Sequence, residues 1–231
     1  MKFCFKPFLF LLCCTGILVS CNTKKEVTLV AEKNSITKPK NIILLVGDGM
    51  GLSQVSASQF YNNSKSNFER FPIIGLIKTS SASELITDSA SSSTAFASGI
   101  KTYNGALGVN TDTLAVKTIV EEVSEIGIST GIISTSSITH ATPAAFYTHT
   151  KKRSMAEDIA SQLVNSEIDF FAGGGSDYFN NREDNRDLIL ELEENNFKVN
   201  LNSLPTSITT DFSKKQGYLL APKGLPKILE G

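Results

Sequence analysis

From residue 41 onward the chain alternates short unbroken apolar runs with stretches in which apolar residues recur every three or four positions. The runs at 42–46, 73–78, 128–134 and 168–172 have the length and continuity of strands covered on both faces, the pattern of a parallel sheet between helices. Residues 113–126 place Leu114, Val116, Ile119, Val120, Val123 and Ile126 on one stripe, which predicts a helix closed by Gly127. Residues 53–61, 154–165 and 185–195 predict further helices. Strands and helices in alternation define an α/β protein with a mostly parallel central sheet. No internal repeat, low-complexity tract or domain boundary interrupts the chain after Lys40.

Before that pattern begins, Lys2 and Lys6 precede an apolar run over residues 8–19, a charged n-region and a hydrophobic core too short for a comfortable membrane span. This predicts a secretory signal over residues 1–20. The run ends in Leu18-Val19-Ser20-Cys21, which resembles the lipobox of bacterial lipoproteins and makes Cys21 the lipidated first residue of an exported, envelope-anchored protein in the periplasm or at the outer membrane or cell surface. An ordinary signal peptide, with Cys21 a bystander, is the alternative. Residues 21–40 are polar and charged and read as a tether, leaving 41–231 as the folded domain.

Composition narrows the chemistry. Of 231 residues, 41% are hydrophobic and 19% charged, as in ordinary globular proteins. Removing residues 1–20 takes away Lys2 and Lys6 and no acid, so the net charge of −1 becomes −3. Such a balance argues against nucleic acid as the partner and favours a small molecule. All four cysteines lie at or before Cys21, and the only histidines are His140 and His149. A metal site in this chain must therefore draw on carboxylate and hydroxyl oxygens.

Three segments offer functional side chains. Gly47-Asp48-Gly49-Met50-Gly51 follows the first apolar run, where open parallel sheets place their sites. The third glycine, Gly51, comes one position too soon and Leu52 stands where glycine is required, so the dinucleotide fingerprint fails. Asp48 serves equally as a cleft-facing carboxylate or as a helix cap. Thr87-Asp88-Ser89-Ala90 opens a run of small residues, with Ser89 at a helix N-terminus suited to a phosphate or oxyanion, or simply capping the helix. His140-Ala141-Thr142-Pro143 follows the third apolar run, and Thr142 before Pro143 is already a good cap pair. Arg153 in Lys151-Lys152-Arg153 offers a bidentate phosphate clamp or a solvated face. His149 reads as a packed or surface histidine, and Gly173-Gly174-Gly175 as a structural turn.

Taken in order, Asn41-Ile-Ile-Leu-Leu-Val-Gly-Asp-Gly-Met-Gly51, Thr87-Asp-Ser-Ala90, Gly99-Ile-Lys-Thr-Tyr-Asn-Gly-Ala-Leu-Gly108 and His140-Ala-Thr-Pro-Ala-Ala145 closely resemble the N-terminal part of the metal-dependent alkaline phosphatases. The resemblance implies a three-layer α/β/α sandwich, incomplete in this chain, and hydrolysis of phosphate monoesters with two zinc ions and one magnesium. It implies Ser89 as nucleophile and metal ligand, forming a phosphoserine, with Asp48 shared between a zinc and the magnesium. Thr142 matches a magnesium ligand, Arg153 the phosphate clamp and Asp88 its orienting carboxylate. His140 stands where some members carry an aspartate, and an imidazole there would favour zinc or cobalt. Homodimerisation is common in that family, though no residue between Asn41 and Gly231 itself requires it.

Family members draw further metal-binding histidines and carboxylates from their second half, whereas no histidine follows His149 here. The expectation is therefore an N-terminal portion, with the remaining ligands beyond Gly231 and no meaningful turnover by this chain alone. A sulfatase or phosphomutase of the same superfamily, or a non-catalytic fragment, is the alternative. The Asp-Ser-Ala and Thr-Tyr-Asn-Gly blocks favour the phosphatase.

Overall fold

The computed structural model describes residues 39–61, 65–205 and 213–227. The expected signal, the lipidation site at Cys21 and almost all of the expected tether lie outside the described residues. The chain divides into two units, Met1–Leu45 and Val46–Gly231. The described part of the first, residues 39–45, carries no helix or strand.

In the second unit four strands form one all-parallel sheet in the order β1-β2-β4-β3: β1 (Gly131–Ser137), β2 (Phe170–Gly174), β3 (Phe197–Asn200) and β4 (Lys215–Leu219). Gly131 is in register with Phe170, Phe170 with Gln216, and Phe197 with Lys215. The helices are α1 (Leu52–Tyr61), α2 (Ser89–Ser98), α3 (Ile119–Ser124), α4 (Ala141–Ala144), α5 (Ala156–Val164), α6 (Asp177–Asn180) and α7 (Leu188–Glu194). A parallel sheet flanked by helices is the expected α/β/α sandwich. Phe171, Ile168 and Leu219 from the sheet region meet Ile159 and Leu163 of α5, Phe179 of α6 and Leu188 and Leu192 of α7 in one buried core. Each such side chain contributes about 1.5–3 kcal/mol by leaving water.

The helical stripe at 113–126 is only half right. Asn110 accepts from the N–H groups of Asp112 and Leu114, Thr113 turns back at φ 64°, and Val109 pairs with Ala115, so the first part is a tight turn. The helix starts after Thr118, whose hydroxyl accepts from Glu121 N–H while the Glu121 carboxylate accepts from Thr118 N–H. Gly127 at φ 75° closes it, as expected.

Two predicted strands do not form: residues 42–46 and 73–78 belong to no strand or bridge. Ile73, Ile74, Leu76 and Ile77 are 69–99% exposed. An apolar run records that a segment suits a buried place, whereas a strand exists only when a second backbone completes its hydrogen bonds. Gly173 and Gly174 also correct an expectation, because they end β2 in place of forming a turn. A Cβ on Gly174 would lie 1.8 Å from the Lys223 carbonyl oxygen, so chain packing demands glycine there.

Candidate active site

The candidate site gathers where α2 begins and where the chain leaves the carboxyl end of β1, the end at which parallel sheets present their functional loops. Helix α2 brings Ser91, Ser93, Thr94, Ala90 and Ala97 into the interior. These small side chains allow close approach to α4, across which Ser93 Oγ donates to the Ala141 carbonyl at 3.2 Å.

Asp88 caps this helix, and Ser89 is its first residue. The capping role weighed for Ser89 thus falls to its neighbour, leaving the Ser89 hydroxyl to face the cleft. Oδ1 of Asp88 accepts from Ser91 N–H and Ser91 Oγ, both at 3.0 Å, and Oδ2 accepts from Gly105 N–H at 3.0 Å and Arg153 Nη1 at 3.2 Å. Burial works to raise this carboxyl, but the bonds from Ser91, Gly105 and Arg153 outweigh it and hold the group below the usual carboxylate range.

Arg153 is fixed at both ends. Its backbone N–H donates to the Gly105 carbonyl at 2.7 Å. Its Nη1 also donates to Ser89 Oγ at 2.8 Å, and Nη2 donates to His140 Nε2 at 3.2 Å. Because a guanidinium can only donate, His140 accepts through an unprotonated Nε2. Burial, and then the Arg153 charge, push the His140 pKa down, against a smaller upward pull from Asp48.

Thr142 corrects the sequence expectation. It is the second residue of α4 after His140, not its cap, and its hydroxyl donates to Asp48 Oδ2 at 2.7 Å across 94 positions of chain. Asp48, Ser89 and Thr142 share the lining of one cleft of about 700 Å³. The structure thus gathers Asp48, Asp88, Ser89, His140, Thr142 and Arg153, whereas Cys21 lies outside the described residues. Sequence reasoning gave no role to Asn104, whose Oδ1 accepts from Asp88 N–H and Ser91 Oγ while its Nδ2 donates to the Ile86 carbonyl. Its place in the Thr-Tyr-Asn-Gly block was the available signal.

Among the described residues, no three His, Cys, Asp or Glu side chains cluster as a metal site. The Asp48–Thr142 pair supplies two hard oxygen donors, a partial set for magnesium. The zinc sites expected from the resemblance are not completed by described residues.

A serine at a helix N-terminus beneath a carboxylate-braced guanidinium, in a helix-flanked parallel sheet, defines an α/β/α protein with an anion-binding geometry. The chain belongs to the alkaline phosphatase family, whose sequence profile matches residues 39–209. Alkaline phosphatase 3 of Bacillus subtilis is 35% identical over 214 residues, covering 86% of this chain and 45% of that protein. The solved alkaline phosphatase of the Antarctic bacterium TAB5 is 49% identical with a TM-score of 0.81, over 84% of this chain and 56% of its own. The cold-active enzyme of Shewanella sp. is 32% identical with a TM-score of 0.70, over 80% and 47%. A histidine-to-aspartate variant of the TAB5 enzyme has Mg bound in its M3 site. The chain spans about half the length of these relatives.

Proposed function

We propose that this chain carries the nucleophile, phosphate clamp and part of the magnesium site of an alkaline phosphatase acting on small phosphate monoesters. The observation that supports this most is the single guanidinium that bridges Ser89 Oγ and Asp88. It puts a fixed positive charge beside a hydroxyl at a helix N-terminus, where phosphoryl oxygens would gain most.

In this reading Arg153 binds two phosphoryl oxygens and Ser89 Oγ attacks phosphorus opposite the ester oxygen. The new Oγ–P bond forms as the ester P–O bond breaks, and the alcohol leaves with a proton. Water then cleaves the phosphoserine, restoring the serine hydroxyl and releasing inorganic phosphate. Asp88 acts through Arg153, holding the clamp in place. Asp48 and Thr142 would hold magnesium, with Asp48 shared and Ser89 facing zinc, as the resemblance implies. The bound ions would neutralise charge on phosphoryl, entering and leaving oxygens, which is where most of the rate of such transfers arises. The export signal and lipid anchor at Cys21 belong to the same reading and would put the enzyme where it meets extracytoplasmic phosphate esters.

The test is phosphate labelling of the full-length protein with its metals supplied, compared with Ser89→Ala. The wild type should form an acid-stable phosphoserine, whereas the variant should form none and keep its metal content. Normal labelling of the variant would remove Ser89 from the mechanism.

A further inference from the structure

The second histidine, which sequence reasoning read as a packed or surface residue, is held at both ring nitrogens. His149 Nδ1 lies 2.6 Å from the Gly108 carbonyl oxygen, and Nε2 lies 3.1 Å from Glu121 Oε1. A carbonyl only accepts. Glu121 is an ionised acceptor as well, because its other oxygen receives the Thr118 N–H at 2.7 Å and the Thr118 hydroxyl at 2.9 Å. Burial works to raise the Glu121 carboxyl, but the bonds from Thr118 and His149 prevail and keep it low. The ring thus spans two acceptors, a backbone carbonyl and a carboxylate. His140 shows the opposite arrangement, accepting from Arg153 through a bare nitrogen.

This ring anchors one end of the segment that carries Arg153. From His149 to Arg153 the backbone lies along residues 103–108. Thr150 exchanges two bonds with Leu107 at 2.8 and 3.0 Å, the Tyr103 hydroxyl donates to the Lys151 carbonyl, and Arg153 N–H donates to the Gly105 carbonyl. Gly105 in turn donates to Asp88, so the same template sets both the clamp and its brace. The approach at Gly108 is close enough to require glycine: φ is +60°, and a Cβ would lie 2.0 Å from the Thr148 carbonyl oxygen and 2.8 Å from His149 Nδ1. The far side of His149 is held by Gln162 of α5, whose Oε1 accepts the His149 N–H at 2.8 Å.

We infer that His149, held between the Gly108 carbonyl and the Glu121 carboxylate, is a positioning residue for the Arg153 clamp. The inference rests on the proposed role of Arg153. Removing the ring breaks the bridge between Gly108 and Glu121, so the 149–153 segment loosens from its template. Around the ring, the other charged groups lining the same groove are Lys117, Glu125, Glu167 and Arg186. Lys117 is paired with Glu125, Arg186 with Glu191, and Gln162 is itself tied to Asp158, leaving Glu121 as the carboxylate in contact with the ring.

The experiment uses the full chain, uniformly ¹⁵N-labelled. Inorganic phosphate is titrated while the Ser89 and Ala90 amide shifts are followed. His149→Gln and Glu121→Gln should each weaken phosphate binding about tenfold, the low end of what removing an orienting partner costs. Both variants should also move the Arg153 Nε–H resonance, which reports the guanidinium itself. A merely structural histidine would lower thermal stability while leaving that resonance and the phosphate affinity in place. Variants that match the wild type in affinity and in the Arg153 resonance would overturn the inference. Wild-type phosphate binding by Arg153→Ala would overturn the site reading and the positioning role with it.

Discussion

Asp88→Asn is nearly isosteric, so its effect isolates the carboxylate's acceptor capacity. The amide oxygen can keep the two Ser91 contacts, but the amide nitrogen then faces Gly105 N–H at 3.0 Å and Arg153 Nη1 at 3.2 Å, donor against donor. Hydrogen bonds to a charged group contribute about 1.5–3 kcal/mol each. The arginine contact is discounted toward about 0.5–1 kcal/mol, because the Asp88 and Arg153 side chains are 27% and 32% exposed. The combined loss is about 2–4 kcal/mol. For a folded unit of this size that corresponds to a Tm about 5–15 °C lower, measurable by circular dichroism.

The pH dependence supplies the sign. Because the folded Asp88 carboxyl titrates below its ordinary value, its stabilisation is fully present above the unfolded carboxylate range and is lost as pH falls through the folded value. The gap between wild type and Asp88→Asn should therefore be widest near neutrality and close under acid. A double-mutant cycle with Arg153→Ala should show coupling between the two positions. A Tm within about 1 °C of wild type at pH 7, or a gap that does not change with acid, would refute the reasoning.

Other substitutions probe the remaining geometry. Thr142→Val keeps the shape of the side chain but removes the hydroxyl that reaches Asp48, so Mg²⁺ affinity measured by calorimetry should fall about tenfold with little change in Tm. Gly108→Ala places a methyl group 2.0 Å from a backbone oxygen at φ +60° and should destabilise the chain by about 3 kcal/mol or more, read as a large loss of Tm or of soluble protein.

Helices whose ends carry their own chemistry were legible before the fold was seen. The Asn185–Asn195 stretch contains α7 between the Asp187 cap and Asn196 at φ 69°, and α5 buries Ile159, Ala160, Leu163 and Val164 along one stripe. The block Thr87-Asp88-Ser89-Ala90 likewise marked the start of α2, although the cap proved to be Asp88. The runs at 42–46 and 73–78 were misread as paired strands because their apolar content resembles that of residues 168–172, which overlap β2.

By itself the sequence determined local preferences: where helices start and stop, which segments seek burial, and that only two histidines and a handful of oxygens were available for chemistry. Those choices depend on residues a few positions apart, through caps, periodicity and turns. Only the tertiary structure decided that Thr142 serves Asp48 and not its helix, that Arg153 bridges Ser89, Asp88 and His140, and that His149 meets two acceptors. Each of those contacts joins residues between 13 and 94 positions apart. A hydrogen bond has an energy only once donor and acceptor are brought within about 3 Å, and closing such loops is the work of the whole packed core.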